Sequence, residues 1–424
     1  MYPVADFARR VPSTAESRVM IRPAERARVV VIGAGQAGLS VAWHLQRAGL
    51  VAGHDLVVLD RAPGTGGAWQ FRWDALRLGI AHRVHDLPGM HEMGLRFDDA
   101  DQSRPAREVV AEYYRRFEEH HDLRVRRPVG VTAVRHDDDP GSDTLLVETR
   151  DEHGVAGTIR AEAVVNASGT WGTPFVPWVP GRDAFRGRQL DTTGYRDARE
   201  FAGQDVVVVG GGTSAIGFLL ELDGIARSTR WSTRRPVVWS DDPALATGAA
   251  VAAVADQDRA ARAGRTLPSI VSGTGLPVSP RIRRGLARGL LEAEPMFTRL
   301  DGDGVLTADG EHVHADAVIW ATGFRADLRH LAPLHLRTGA GGVVVEDGRS
   351  AAEPRLFLAG YGPQASTIGA NRAGRRIARQ VLAVLADDDV AHTHTHTHTD
   401  TDTAGAAAAA DDDAAPDGQS AADA

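Results

Sequence analysis

The chain has 424 residues, of which 43% are hydrophobic and 25% charged, with a net charge of −8. This is the balance of an ordinary globular protein long enough for two or three domains. The acidic balance gives no footprint for nucleic acid, no run of roughly eighteen apolar residues marks a membrane span, and Met1 to Arg28 holds no signal-like apolar stretch, so a cytoplasmic enzyme acting apart from nucleic acid and membrane is expected. The absence of cysteine excludes a disulfide framework, a thiolate metal site and a redox-active cysteine pair, and because all 48 basic residues are arginine a lysine Schiff base is excluded too.

Residues 1–26 are polar and aperiodic and read as a flexible lead-in. The run VVVIGAGQAGLSVAWHL then predicts a buried strand at Val29–Ile32, a glycine turn and a helix over Ala37–Ala48, and a strand at Asp55–Asp60 completes a βαβ unit. In the turn, Gly33, Gly35 and Gly38 match GxGxxG, which sets a pyrophosphate at the helix N-terminus beside Gln36 and Ala37. Asp60 ends the second strand, where a carboxylate accepts hydrogen bonds from a ribose 2′-OH. Directly after it, RAPGTGGAW (Arg61 to Trp69) is a second glycine cluster that a simple nicotinamide-binding domain does not need.

Helical spacing follows over Pro105–His121, and strand-like segments at Arg124–Arg135 and Thr144–Thr149 predict a small antiparallel excursion. The segment Ala161–Gly181 is a buried strand that stops in small residues and passes into a proline-rich stretch, as at a domain crossing. A second βαβ unit begins at Asp205. Its turn, Gly210, Gly212, Thr213, Ser214 and Ala215, is a GxGxxA variant, and its second strand lies near Ser228–Ser232. No acidic residue follows that strand; Arg234 and Arg235 do, which favours the 2′-phosphate of NADPH over NADH. The stretch Ala246–Leu300 carries few motifs and is expected to shape a substrate pocket. A second crossing is predicted at Ala315–Phe324, and a strand, a turn and a last helix over Arg355–Leu385. Residues 389–424 are low-complexity and expected to be disordered. The alternating His392, His394, His396 and His398 read as a repeat tail, so no metal is expected.

The strand, GxGxxG, acidic strand end and GG-x-W stretch together resemble the FAD domain of the flavin-containing monooxygenase and Baeyer–Villiger monooxygenase group, and GGGTSA resembles that group's NADPH turn. The resemblance implies an α/β fold of two Rossmann-like dinucleotide-binding domains, with an NADPH domain (186–315) inserted into a discontinuous FAD domain (27–185 and 316–388). It implies that Arg61, Gly66, Gly67 and Trp69 lie along the FAD, and that the segment from Arg72 to Leu78 helps to enclose it. NASGTW, with Ala167 and Gly169, and ATGF, with Ala321 and Gly323, look like the group's paired crossings close to the cofactors, and Thr367–Ile368 would start a helix near the flavin ring.

The activity implied is an NADPH-dependent FAD oxidoreductase, a monooxygenase that uses O2 and a flavin hydroperoxide to oxygenate a small organic substrate. One position departs from the pattern. The group's FxGxxxHxxxY signature is FRGRQLDTTGY here, with Phe185, Gly187 and Tyr195 kept and Asp191 in place of histidine. An NAD(P)H:acceptor reductase and a redox-sensing flavoprotein therefore stay open as alternatives. No catalytic side chain is assigned; His82, Arg83 and His85 lie in the stretch beside the flavin but carry no motif.

Overall fold

The computed structural model describes residues 24–81, 83–240, 243–268, 275–365 and 367–405, with the side chains of 243–250, 367–368 and 390–405 left outside the description. Two parallel sheets organise the chain. In the first, β1 (Glu25–Ile32) lies between β2 (Leu56–Leu59) and the long β5 (Ala156–Asn166), parallel to both. The apolar runs of β1 and β2 are buried throughout, as parallel strands covered on both faces require. The helix α1 (Gln36–Arg47) makes the crossover, and α2 (Ala106–His120) covers the sheet with Val109, Val110, Tyr114 and Phe117. The antiparallel excursion is β3 (Val129–His136) and β4 (Leu145–Asp151), which pairs onto the first half of β5.

The second sheet is built from β6 (Arg188–Asp191), β7 (Asp205–Val209), β8 (Ser228–Thr233), β9 (Ala293–Pro295) and β10 (Ala317–Trp320), all parallel in the order β9-β8-β7-β10-β6. Helix α3 (Thr213–Leu222) joins β7 to β8. The chain then returns to the first sheet through β11 (Leu356–Leu358), parallel to β5, and ends its core in α5 (Thr367–Gly405), whose Gly374 sits so close to α1 that a Cβ there would meet Ser40 Oγ at 2.2 Å. The fold is thus two α/β units, one inserted in the other. Among the described residues no helix is long and apolar enough to cross a membrane. Of the tail expected to be disordered over 389–424, residues 389–405 instead continue α5 as helix, and residues 406–424 lie outside the described residues.

Two boundaries differ from the sequence reading. The inserted unit was expected to end at 315, but β10 is the fourth strand of its sheet, so the chain leaves that unit only after Trp320. A buried AVIW strand carries no local mark of which sheet it joins. The stretch expected to belong to the insertion also divides: α4 (Pro243–Arg262) packs on the first unit, with Ala261 in the core formed by Val343, Val345, Leu358 and Tyr361.

The units are also pinned directly. Trp73 leaves the first unit and is buried in the second unit's core, its ring 4.9 Å from Phe218 and 5.6 Å from Tyr195. Its Nε1 donates to Glu221 Oε1 at 2.9 Å, and Tyr195 OH donates to the other oxygen at 3.0 Å. Burial raises the Glu221 carboxyl, and the Trp73 and Tyr195 hydrogen bonds oppose that rise. Trp73→Ala should cost about 3–5 kcal/mol of stability, the range for deleting a buried aromatic, and should loosen the inter-unit contact. Urea unfolding and limited proteolysis of the variant check both effects.

Candidate functional site

Both glycine turns are built to one plan. Gly33 has φ +104°, and a Cβ on it would lie 2.4 Å from Ala167 O; Gly210 has φ +130°, and a Cβ on it would lie 2.1 Å from Ala321 O. Each turn is therefore backed by a crossing segment, and in each the backing alanine is held by the strand that enters the turn: Ala167 N donates to Ile32 O (2.8 Å) and Ala321 N to Val209 O (2.7 Å). Positive φ and a carbonyl at van der Waals contact together leave room only for glycine. This gives Ala167 and Ala321 their role, which is to form the floor of the two turns.

The helix starts above these floors are open. Gly35 and Gly212 are the N-caps of α1 and α3 and supply no capping side chain, and neither helix has an acidic residue in its first turn. The first amides of each helix then have no acceptor within it and present partial positive charge. A Cβ on Gly35 would meet nothing nearer than 3.8 Å and one on Gly212 nothing within 4 Å; the same is true of Gly169 and Gly323 in the crossings. Two such cradles fit two pyrophosphates.

The remaining predicted residues are placed as follows. Gln36 is a hub: its Nε2 donates to His85 O (3.1 Å) and Asn371 Oδ1 (2.8 Å), and Tyr114 OH donates to its Oε1. Ala37 faces Gly360, whose Cβ would come within 3.4 Å. Gly38 allows the helix to pass Gly33 O, which a Cβ would meet at 1.8 Å, whereas the second turn accommodates Ala215 fully buried at the equivalent position. Asp60 is buried and braces the turn, accepting from Ala34 N (3.0 Å) and Ala62 N (2.8 Å). Gly67 is pressed on the first turn, where a Cβ would lie 2.7 Å from Gly35 Cα, and Trp69 is buried in the core around α1 and α2.

Arg61 reaches across to the second crossing and pairs with the buried Asp327 at 2.7 Å. Thr213 and Ser214 open α3, and among the described residues their hydroxyls make no hydrogen bond. Arg234 and Arg235 follow β8 and are exposed, without an ion pair among the described residues. The Thr367 side chain and His82 lie outside the described residues. Asp191 ends β6 and closes its turn, accepting from Thr193 N (2.7 Å) and Thr193 Oγ1 (2.6 Å). Arg83 pairs with Asp98 at 2.7 Å on the surface.

The crossings themselves pair, with Phe175 N donating to Gly323 O (2.8 Å), Arg325 N to Thr173 O (2.9 Å) and Asp327 N to Gly169 O (2.9 Å). Trp171 stacks on Phe324 with centroids 5.1 Å apart. A hollow of about 200 Å³ lies where α4 meets the turn after Tyr361, lined by Val254, Asp258, Gln364 and Arg372 among others, and Gln364 Oε1 is buried there without a partner among the described residues. A larger open hollow of about 480 Å³, at Glu92, Met93, Arg116, Glu119 and His120, is lined by none of the turn or crossing residues.

One residue beside the crossings had no sequence signal. His330 is buried, and its Nε2 meets Asn166 Oδ1 at 2.9 Å. Burial pushes this imidazole down to about 4; nearby Asp327 opposes the fall, and Arg61 and Arg329 add to it. Between the ordinary value near 6.5 and about 4 the unfolded chain binds a proton that the folded chain refuses. The stabilisation is complete above that window and is lost as pH falls through it, by at most about 3 kcal/mol. His44, half-buried and also held at about 4, acts in the same direction. His330→Gln should flatten part of this slope, read as a smaller drop in the urea midpoint between pH 7 and pH 5 than in the parent.

A model of the pyridine nucleotide-disulphide oxidoreductase family matches residues 30–247. A flavin-containing monooxygenase from Stenotrophomonas maltophilia is similar in structure, with TM-score 0.68 and 32% identity, over 85% of this chain and 99% of that one. A Baeyer-Villiger monooxygenase of Streptomyces coelicolor is 29% identical over 273 residues, 64% of this chain and 46% of its own length. The uncharacterized oxidoreductase CzcO of Bacillus velezensis is 23% identical over 341 residues, 78% of this chain and 90% of its own. With two uncapped glycine turns and no cysteine to accept electrons, the chain belongs to the pyridine nucleotide-disulphide oxidoreductase family and, within it, to the flavin monooxygenases.

Proposed function

We propose that the first turn holds FAD, the second holds NADPH, and the enzyme oxygenates a small organic substrate with O2. The observation that carries this reading is the pair of identically floored, uncapped glycine turns whose floors are the two crossings, so that both cofactors stand on one paired segment. When bound, the flavin accepts hydride from the nicotinamide and passes electrons to O2. The protein's part is to place and shield them.

Asp60 braces the first turn and keeps a second lone pair on each oxygen for a ribose hydroxyl. The amides at the start of α1 and of α3 receive the pyrophosphates, with the Thr213 and Ser214 hydroxyls beside the second. Arg234 and Arg235, at the end of β8, clamp the 2′-phosphate. The hollow between α4 and Gln364 is the recess for substrate, where the unpartnered amide oxygen offers an acceptor. Asp191 is committed to its own turn, so it supplies none of the ring contacts of a histidine at that place.

The test is anaerobic titration of the flavin-loaded protein with NADPH, followed by rapid mixing with O2. Reduction, and then a transient spectrum between those of reduced and oxidised flavin, supports oxygenation. Reoxidation without a transient supports an acceptor reductase instead, and failure to be reduced by either nicotinamide overturns the two-cofactor reading.

A further inference from the structure

Arg72 stands just beyond the buried Trp69, at the place where the first unit meets the crossings. Its guanidinium carbon lies 4.2 Å from the Trp171 ring centroid and 5.7 Å from that of Trp69. Trp171 in turn stacks on Phe324, so one aromatic wall runs from the first crossing to the second with the cation on its face. The next residue, Trp73, is 3.9 Å from the position of a Cβ on Gly217 in α3, so the chain passes directly from this wall to the second unit.

The cation is not neutralised. Arg72 Nε is enclosed, and among the described residues it has no hydrogen-bond partner and no carboxylate pairs with the guanidinium. Burial alone holds its pKa down, to about 10. The acids of the adjoining segments are engaged elsewhere: Asp74 with Arg107, Glu221 with Trp73 and Tyr195, and Asp327 with Arg61 and Arg329. Stacking on tryptophan recovers only part of the cost of desolvating a guanidinium. The residue keeps a minor part of its surface exposed, which leaves an opening for an incoming group.

We propose that Arg72 and Trp171 form an oxyanion-binding site at the junction of the two units, for the pyrophosphate of the nicotinamide dinucleotide or the carboxylate of an organic substrate. The proposal rests on the two-cofactor reading above. Planar guanidinium recognises either anion in a bidentate manner, and the flanking rings suit the flat group that each carries.

The test uses the flavin-loaded parent, Arg72→Met and Arg72→Lys. Each is titrated without turnover with NADP+, inorganic pyrophosphate, benzoate and the uncharged isostere benzamide. Tryptophan fluorescence is recorded beside flavin absorbance, so that binding is seen even in protein that holds no flavin. Arg72→Met should bind either NADP+ and pyrophosphate, or benzoate relative to benzamide, about tenfold or more weakly, the loss expected for a charged hydrogen bond. The first result names the dinucleotide as the source of the anion and the second names the substrate. Arg72→Lys should recover part of the affinity, because it keeps the charge and loses the fork.

Arg72→Met should also be no less stable than the parent in the absence of anion, since it removes an uncompensated buried charge. Unchanged binding of all four probes overturns the proposal, and so does a variant that loses flavin and none of these anions. A parent that holds flavin but is not reduced by NADPH is instead a failure of the two-cofactor reading, and it shows before any variant is made.

Discussion

Gly210→Ala should yield a protein that still purifies with flavin but is reduced by NADPH about a hundredfold more slowly. The added Cβ would lie 2.1 Å from Ala321 O on a residue with φ +130°, so either the second turn or its floor must move. A shift of about an ångström in a group that positions a reactant is enough for a loss of that size. The first turn has its own floor at Ala167 and its own brace at Asp60, so it should be untouched. The mirror variant, Gly33→Ala, should reverse the pattern and lose the flavin itself. Absorbance of the purified variants and stopped-flow reduction under nitrogen check both halves; unaltered reduction of Gly210→Ala would sink the placement of NADPH.

Replacing both arginines, in Arg234→Gln/Arg235→Gln, should raise the KM for NADPH roughly ten- to a hundredfold, the equivalent of one or two charged hydrogen bonds to phosphate. The KM for NADH should change little, because that cofactor has no 2′-phosphate to hold. Both arginines are exposed, so the parent's preference for NADPH should also shrink as salt is added, while the variant's response to salt should be flat. Steady-state kinetics with both nicotinamides at low and high ionic strength give the answer. An equal rise in both KM values would mean that the arginines shape the turn and do not read the phosphate.

What could be read in the sequence was whatever depends on local geometry. Gly33, Gly38 and Gly210 are announced by their spacing in the turn and by the backbone the turn needs, although only Gly38 meets a near neighbour in the chain, Gly33 O, while Gly33 and Gly210 are backed by the distant Ala167 and Ala321. The second turn, the antiparallel excursion and the insertion of one unit in the other follow from strand runs and breakers in the same way. What could not be read depends on partners far apart in the chain. Asp60, marked by its place at a strand end, turns out to hold two backbone amides. Arg61, placed along the cofactor by resemblance, is tied to Asp327. Gly67 owes its missing side chain to Gly35 as its packing neighbour, and Trp69 is core. Arg72, His330 and Glu221 take their meaning from Trp171, Asn166 and Trp73, and no periodicity in the sequence points to those pairings.

The shared floor under the two turns has a mechanical consequence. Ala167 and Ala321 belong to the segments that carry the chain from one unit to the other, and those segments are bonded to each other between Thr173 and Arg325 and between Phe175 and Gly323. A rotation of one unit against the other therefore pivots at the floors of the two glycine turns. The paired crossings act as the fulcrum of a lever with a glycine turn at the root of each arm, so even a wide swing at the periphery moves the two turns past each other by only a short distance.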